Sequence, residues 1–296
     1  MNASFDIDAL RVAVVGVDLG SFARAAVELG RSQSSVSMQL KKLEQQSGQQ
    51  LFERKGRGLV PTEAGESLLQ YARRIIALND EAARALGSAV APETVRLGLP
   101  QDFYDDIMPA TVRGFADGHP DAHVAVRAGN NHTIYDDVLN GRLDGAIAFF
   151  PKGSTSKGEL LCDLPLLWVA HEDLPQVDAG DEVRLVLFNN RCLFRQTAVT
   201  RLDQAKRRWR AALTTPSLAA VWAALRSHFG IGVRVGHAVP DDIQDVSGWP
   251  GLPDLPSIEL RLLRSAGGGA LSDEMCDLLR QETLACVEGS GVGGRS

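Results

Sequence analysis

The sequence predicts an α/β protein with an N-terminal winged helix-turn-helix, a long linker helix and a two-lobed α/β domain. Three observations support this fold class. Two short amphipathic segments meet at a glycine between Ser21 and Lys42, an apolar seam runs from Ala64 to Ala85, and strands alternate with helices from Val95 onward. A chain of 296 residues also exceeds one typical small core, so two or three domains are expected.

The paired segments near the N-terminus have the pattern of a helix-turn-helix. In the second segment Val36, Leu40 and Leu43 recur at the spacing of a buried helical stripe. Gly30 lies where the first helix would end in a left-handed residue, and Ser32 is placed to cap the next helix. The apolar stripe of the first segment consists of Phe22, Ala25, Ala26 and Leu29. A short glycine turn between two such helices is typical of DNA-binding proteins.

The face of the second helix that is left to solvent carries amide, hydroxyl and basic side chains. Amides and hydroxyls can hydrogen-bond to base edges in the major groove, and basic groups can contact phosphates. The residues predicted to face bases are Gln33, Ser34, Ser37, Met38 and Gln39. Those predicted to face phosphates are Lys41, Lys42, Arg54 and Arg57. The alternative is an ordinary helical hairpin that shows its polar face to water.

A two-stranded wing is predicted after the second helix. Two short apolar pairs, Leu51-Phe52 and Leu59-Val60, flank a tip of basic residues and glycines. Such a tip suits phosphates beside the groove, although a solvated surface turn has the same composition. This predicted DNA-binding domain covers residues 1–61.

A linker helix over residues 62–88 is predicted next, with Thr62 as its N-cap. Apolar residues alternate at spacings of four and three along it, which is typical of a coiled-coil pair. They are Ala64, Leu68, Tyr71, Ile75, Leu78, Ala82 and Ala85. A homodimer would place two recognition helices on one face of a roughly two-fold symmetric, double-stranded DNA site. The alternative is a helix buried on its own domain.

Beyond a break at residues 88–94, the βαβαβ rhythm predicts a parallel sheet covered by helices. The predicted regulatory domain covers residues 92–288. Its first lobe takes about 92–164 and 264–288, its second lobe takes 165–263, and residues 289–296 form a disordered tail. Within the second lobe we predict a strand at 183–188, a long helix at 196–213, a Ser217-capped helix and a strand in GIGVRV.

Charge and cysteine usage favour a cytoplasmic protein with a local basic face. The net charge is −6, yet residues 21–62 hold seven basic and three acidic side chains. The N-terminus has acids where a secretory signal needs basic residues, and no apolar run is long enough to span a membrane. The four cysteines are widely spaced and lack CxxC pairing, as expected for reduced thiols.

The chain resembles the LysR-type transcriptional regulators over essentially its full length. The residues that carry the resemblance are LRVAVVGVDLGSFARAAVELGRSQSSVSMQLKKLEQQSGQQLFERKGRGLVPTEAGESLL, with VRLGLP, NGRLDGAIAF and FGIGVRV later. It implies a periplasmic-binding-protein-like (type 2) effector domain, a small-molecule effector, and a homodimer or homotetramer. An activator of this kind would also contact RNA polymerase. The regulatory half, with LGLPQDFYDDIMP and FNNRCLFRQT, looks most like the branch of motility and exoenzyme repressors. Met38 departs from the Arg that many members carry, which favours a thymine-methyl or packing contact over a guanine contact.

A small anionic effector is predicted in the crevice at the carboxyl ends of the parallel strands. The predicted contacts are Pro100, Gln101, Asp102, Asn130, Asn131, Phe194, Arg195, Gln196 and Phe229. Arg195 beside a helix N-terminus would favour an anionic group, and Gln101 and Asn130 could orient it. The alternative is an ion pair between Arg195 and Asp102 or another acid across the lobes.

Other functions have weaker support in the sequence. The histidines form no close ligand pair and no Walker or GxSxG motif occurs, so no enzyme activity, catalytic residue, cofactor or metal is predicted. A solute-binding protein would lack the basic N-terminus. A thiol trigger between Cys162 and Cys192 is the alternative form of regulation, but nothing in the sequence shows a lowered thiol pKa.

Overall fold

The N-terminal domain is a helix-turn-helix with a wing, as predicted. The computed structural model describes residues 4–56, 58–86, 94–129, 131–155, 158–189 and 192–289. The helices are α1 (Ile7–Asp18), α2 (Phe22–Glu28) and α3 (Gln33–Ser47), and the wing strands are β1 (Phe52–Lys55) and β2 (Gly58–Pro61). The two wing strands pair antiparallel, with Lys55 opposite Gly58 at the tip.

The orientation of α3 is fixed by local capping and by a core that the three helices share. The Ser32 hydroxyl accepts a hydrogen bond from the Ser35 amide, and Gly30 adopts a left-handed φ of 61°, so the turn is built as expected. Five residues of the predicted stripes are buried in the core of this domain, and Phe22 and Leu29 are partly buried against it. The buried ones are Ala25, Ala26, Val36, Leu40 and Leu43. Burial of one stripe of α3 leaves its opposite face to solvent.

Helix α4 (Glu63–Ala85) links the two halves of the chain. The Thr62 hydroxyl caps it by accepting a hydrogen bond from the Gly65 amide at 3.1 Å. One stripe, including Leu69 and Ala72, is buried in the core of the N-terminal domain. The predicted seam is divided: Ala64 and Leu68 are partly buried against this same core, whereas Tyr71 is 58% and Leu78 67% exposed. The described chain therefore leaves the middle of this seam uncovered.

The regulatory domain begins with a parallel βαβαβ unit, which confirms the predicted rhythm. Strand β3 pairs parallel with both β4 and β5. The strands are β3 (Thr94–Leu99), β4 (His123–Ala128), β5 (Gly145–Pro151), β6 (Glu159–His171), β7 (Val183–Phe188), β8 (Trp209–Thr215), β9 (Gly232–Val235), β10 (Ile243–Asp245) and β11 (Ser257–Arg264). The helices are α5 (Tyr104–Gly118), α6 (Asn131–Leu139), α7 (Leu193–Gln204), α8 (Leu218–Arg226) and α9 (Ala270–Gly289).

Strand β6 connects the two lobes because it is long enough to belong to both. Its first part pairs with β11, and its last part pairs with β9 and β10. Strand β11 also pairs with β5 from Ile258 to Arg264, so it belongs to the first lobe. We therefore place the end of the second lobe near residue 256, whereas the sequence division assigned residues 257–263 to that lobe.

The helix predicted at residues 196–213 is correct up to Gln204 and wrong beyond it. Helix α7 ends at Gln204, Lys206 takes a left-handed φ of 55°, and β8 follows as a strand parallel to β7. The Arg207 guanidinium stabilises this turn by donating to the carbonyls of Gly251 and Asp178 at 2.8 and 2.7 Å. The segment WRAALTT has a local preference for helix, and pairing with β7 overrides it.

None of the helices in the described residues is both long and apolar enough to cross a membrane.

Candidate nucleic-acid interface and ligand cleft

The exposed face of α3 carries most of the side chains predicted to reach base edges. Gln33, Ser34, Ser37 and Met38 are exposed, and Met38 shows 69% of its surface. Lys41 is exposed on the following turn. Because the opposite stripe of α3 is buried, these side chains form one continuous solvent-facing edge of the helix.

Two other predicted contacts of α3 are less available to DNA: Gln39 because it is half-buried, and Lys42 because it is paired with a carboxylate. Gln39 is half-buried, and its amide oxygen is buried with no hydrogen-bond partner in the part of the chain described here. The Lys42 ammonium donates to the Asp6 carboxylate at 2.5 Å and thereby lowers the pKa of Asp6. The same carboxylate caps α1 through the Ala9 amide. Lys42 therefore ties α3 to the start of α1 and has to leave this pair to reach a phosphate.

At the wing, Arg54 is exposed at the predicted position beside the groove, and so is Lys55. Arg57 lies outside the described residues. Among the predicted contacts that the structure describes, the exposed positive charge lies on the wing strand β1 and on the second half of α3, and Arg24 of α2 is exposed as well.

A cavity of about 300 Å³ lies between the lobes at the carboxyl end of β3. Five predicted contacts line it: Pro100, Gln101, Asp102, Asn131 and Phe194. Asn131 also accepts a hydrogen bond from the Phe149 amide at 3.1 Å, which fixes the start of α6 to β5. The cavity therefore lies in the predicted crevice, at the carboxyl ends of the parallel strands.

Three other predicted contacts do not line this cavity. Arg195 turns back and donates to the Phe188 carbonyl at 3.2 Å. Gln196 lies on an exposed part of α7 beside Thr200 and Pro256. Phe229 is exposed at the end of α8, and it is not among the residues that line the cleft. Asn130 lies outside the described residues.

The cationic group of the cleft is Arg234, which the sequence analysis missed. Its side chain is 5% exposed, and its guanidinium donates to the Asp102 carboxylate at 3.2 Å. The same guanidinium lies 4.5 Å from the ring centre of Phe188 and 5.1 Å from that of Phe194. A single arginine inside the otherwise apolar strand GVRV was the available signal, since a buried charge needs a partner. The ion pair anticipated for Arg195 across the lobes is therefore made by Arg234.

The side chain of Gln101 ties the lobes together. Its amide nitrogen donates to the Pro216 carbonyl at 3.1 Å, and its amide oxygen accepts from the Leu218 amide at 2.7 Å. Both partners lie at the start of α8 in the second lobe, while Gln101 follows β3 of the first lobe. A ligand that needs the Gln101 amide would have to replace these two bonds.

The cysteines give little support to a thiol trigger. Burial raises the pKa of the Cys162 thiol to about 11, which opposes formation of a reactive thiolate. Cys192 lies at the start of α7 and lines the cleft. Cys162 and Cys192 are both free thiols in the described structure.

Comparison with known proteins yields one consistent result. Residues 7–66 match the family described as "Bacterial regulatory helix-turn-helix protein, lysR family", and residues 89–283 match the "LysR substrate binding domain". The chain is 33% identical to the transcriptional regulator DgdR of Burkholderia cepacia over 88% of both chains. It is also 33% identical to the regulator PecT of Dickeya dadantii, over 88% of this chain and 82% of PecT. The crystal structure of ArgP from Mycobacterium tuberculosis superimposes with a TM-score of 0.72 at 20% identity, covering 94% and 97% of the two chains.

Because Asp102 and Arg234 form a buried ion pair, we expect the effects of substituting them on the free energy of unfolding to be strongly coupled. Arg234→Met should destabilise the regulatory domain by about 3–5 kcal/mol, because it leaves a buried carboxylate without its partner. The double variant Asp102→Leu, Arg234→Met should recover most of that loss. Unfolding in urea followed by tryptophan fluorescence measures this domain selectively, since all four tryptophans follow residue 160. Additive losses in the double variant would contradict the coupling.

Proposed function

The chain belongs to the LysR family of bacterial transcriptional regulators, and we propose that paired α3 helices read its operator under the control of a small anionic effector. It is a DNA-binding regulator with an effector-binding domain and not an enzyme. Equal identity to DgdR and PecT does not favour one branch of the family over another.

The exposed edge of α3 is the observation that carries the DNA-binding proposal. Gln33, Ser34, Ser37 and Met38 project from a helix whose other stripe is fixed in the domain core. Polar side chains on such an edge suit base edges in the major groove, and Met38 suits a thymine methyl group. Lys41 and Arg54 are exposed, and in this proposal they contact phosphates beside the recognition edge.

A homodimer through α4 would bring two such edges to one face of the DNA. Tyr71, Ile75 and Leu78 form an apolar stripe that the described chain leaves exposed, and a second copy of α4 would cover it. Pairing of this kind requires a roughly two-fold symmetric operator. The proposed location is the cytoplasm, where the DNA lies. A tetramer through the regulatory domains and a contact with RNA polymerase, if the protein activates, belong to the same proposal.

The interlobe cleft is the proposed effector site. Arg234 is held between two aromatic rings and Asp102, so its position is fixed before a ligand arrives. Its Nε atom is buried with no hydrogen-bond partner in the described part of the chain, which leaves a donor for a carboxylate or similar anion. Replacement of the Gln101 bonds by ligand contacts would change the angle between the lobes.

Side chains on α3 should separate into specific and non-specific contacts. Gln33→Ala should weaken binding to an operator fragment selected from random duplexes by about 1–3 kcal/mol, with little effect on unselected DNA. Lys41→Ala should weaken both and reduce the salt slope by about 1, because one phosphate contact is lost. Lys152→Ala is the matched charge control, since Lys152 is exposed in the regulatory domain. Equal losses on both DNAs for Gln33→Ala would remove Gln33 from the reading edge.

The seam on α4 predicts an assembly defect. Leu78→Asp places a charge in the middle of the proposed pair and should shift the full-length chain from dimer or tetramer towards smaller species in sedimentation velocity. Val27→Asp is the control, because Val27 is also an exposed apolar residue but lies on α2. An unchanged sedimentation coefficient for Leu78→Asp would show that other surfaces hold the assembly.

The effector proposal is tested with small carboxylates and their uncharged amides. A carboxylate that binds the cleft should raise the melting temperature of the regulatory domain and alter the operator footprint, whereas its amide should do neither. Arg234→Lys retains the charge but loses the planar donor fork, so affinity should fall at least about tenfold. Equal binding of the acid and the amide would exclude an anionic effector.

A further inference from the structure

A group of three potential metal ligands lies at the junction of the two lobes, outside the cleft. We call it the thiol–imidazole cluster, and it consists of Asp106, His237 and Cys286. Asp106 is in the first turn of α5 and Cys286 is in the last turns of α9, both in the first lobe. His237 follows β9 of the second lobe. Neither the DNA-binding face nor the effector cleft uses these side chains.

The ligand atoms of the cluster converge. The His237 Nε2 atom lies 2.9 Å from an Asp106 carboxylate oxygen and 3.5 Å from the Cys286 sulfur, and all three atoms lie within 4.8 Å of one another. Tetrahedral zinc, with bonds of about 2.0 Å to nitrogen and about 2.3 Å to sulfur, separates those two atoms by about 3.5 Å. The nitrogen–oxygen distance for zinc is about 3.3 Å, so the carboxylate of Asp106 needs to move by only a few tenths of an ångström.

The imidazole is held in place by packing. His237 is 4% exposed, and its ring stacks on Phe103 with centroids 4.7 Å apart and an interplanar angle of 20°. Asp106, by contrast, is exposed and borders a solvent-filled depression that Asp105 also lines. A buried nitrogen ligand, a half-buried sulfur and an exposed carboxylate beside an open position resemble a three-ligand zinc site completed by water.

We propose that Asp106, His237 and Cys286 bind one divalent transition-metal ion, for which zinc has the best-matched donor set. The sulfur and imidazole ligands exclude the hard cations calcium and magnesium, which take oxygen ligands. On binding, the ion replaces the proton of the Cys286 thiol, the sulfur–metal bond forms, and the proton passes to solvent. Burial raises the pKa of this thiol, so the proton is present before the metal binds.

A second group, His171, Asp173 and His228, has weaker geometry for a metal. The Nδ1 atom of His171 already accepts a hydrogen bond from the Asp173 amide at 3.1 Å, and it lies 3.1 Å from the Nε2 atom of His228. Two of its three members are exposed. This group therefore serves as an internal control and not as the proposed site.

The metal would stabilise a contact between the two lobes that also forms part of the effector cleft. Phe103, on which His237 stacks, follows Asp102, and Arg234 lies on the strand that leads to His237. The same two segments thus meet through an ion pair on the cleft side and through the cluster on the outer side. An ion at the cluster would fix α5 and α9 to the end of β9.

Cobalt titration of the metal-free, full-length protein tests the proposal. We expect one Co²⁺ per chain with a thiolate-to-cobalt charge-transfer band, displacement by Zn²⁺, and release of the thiol proton in weak buffer. Cys286→Ala should abolish the band, and Asp106→Asn, a conservative change at an exposed position, should weaken cobalt binding at least about tenfold. Cys162→Ala and His228→Ala should leave the band and the stoichiometry unchanged.

Four results would overturn the proposal. They are absence of the band at stoichiometric cobalt, persistence of the band in Cys286→Ala, unchanged affinity in Asp106→Asn, and loss of the band in His228→Ala. Circular dichroism of each variant distinguishes a lost ligand from a lost fold. Operator binding is measured separately, so failure of the metal site leaves the proposed DNA and effector functions intact.

Discussion

Helix α4 carries three different stripes, two of which pack against the rest of the chain, and the coupling of the two halves of the protein depends on this arrangement. One stripe, with Leu69 and Ala72, completes the core of the N-terminal domain. A second, polar stripe contacts the first lobe, where Gln70 donates to Asn140 at 2.9 Å. The third stripe is the exposed seam. Because one rigid helix carries all three, a movement of the first lobe would reach both the paired seam and the DNA-binding domain.

The effector cleft is organised around a charge that the fold has already neutralised. Arg234 and Asp102 come from different lobes, and the rings of Phe188 and Phe194 lie 4.5 and 5.1 Å from the guanidinium. A buried pair of this kind contributes little net stability, but it costs several kcal/mol when one partner is removed. The pair therefore favours a defined lobe arrangement more than a high stability, and Gln101 supports the same arrangement through neutral hydrogen bonds.

Features set by neighbouring residues could be predicted from the sequence, whereas features set by distant strands could not. The cap at Ser32 and the buried stripe of α3 follow from local spacing, and the structure confirms them. The strand at Trp209–Thr215 depends on pairing with β7, so its helical composition was misleading. Arg195 was chosen for its place at a helix N-terminus, but only the tertiary structure shows that Arg234 points into the cleft and Arg195 does not.

The same limitation explains why histidine and cysteine spacing gave no metal site. Ligand motifs are recognised in sequence when the ligands share one helix or one turn. Asp106, His237 and Cys286 lie on three separate elements, and β6 and β11 bring those elements together where the lobes join. The lobe junction thus concentrates two kinds of cross-lobe contact, the Asp102–Arg234 pair and the thiol–imidazole cluster. An effector that changes the lobe angle would therefore have to act against both of these contacts as well as against the Gln101 hydrogen bonds.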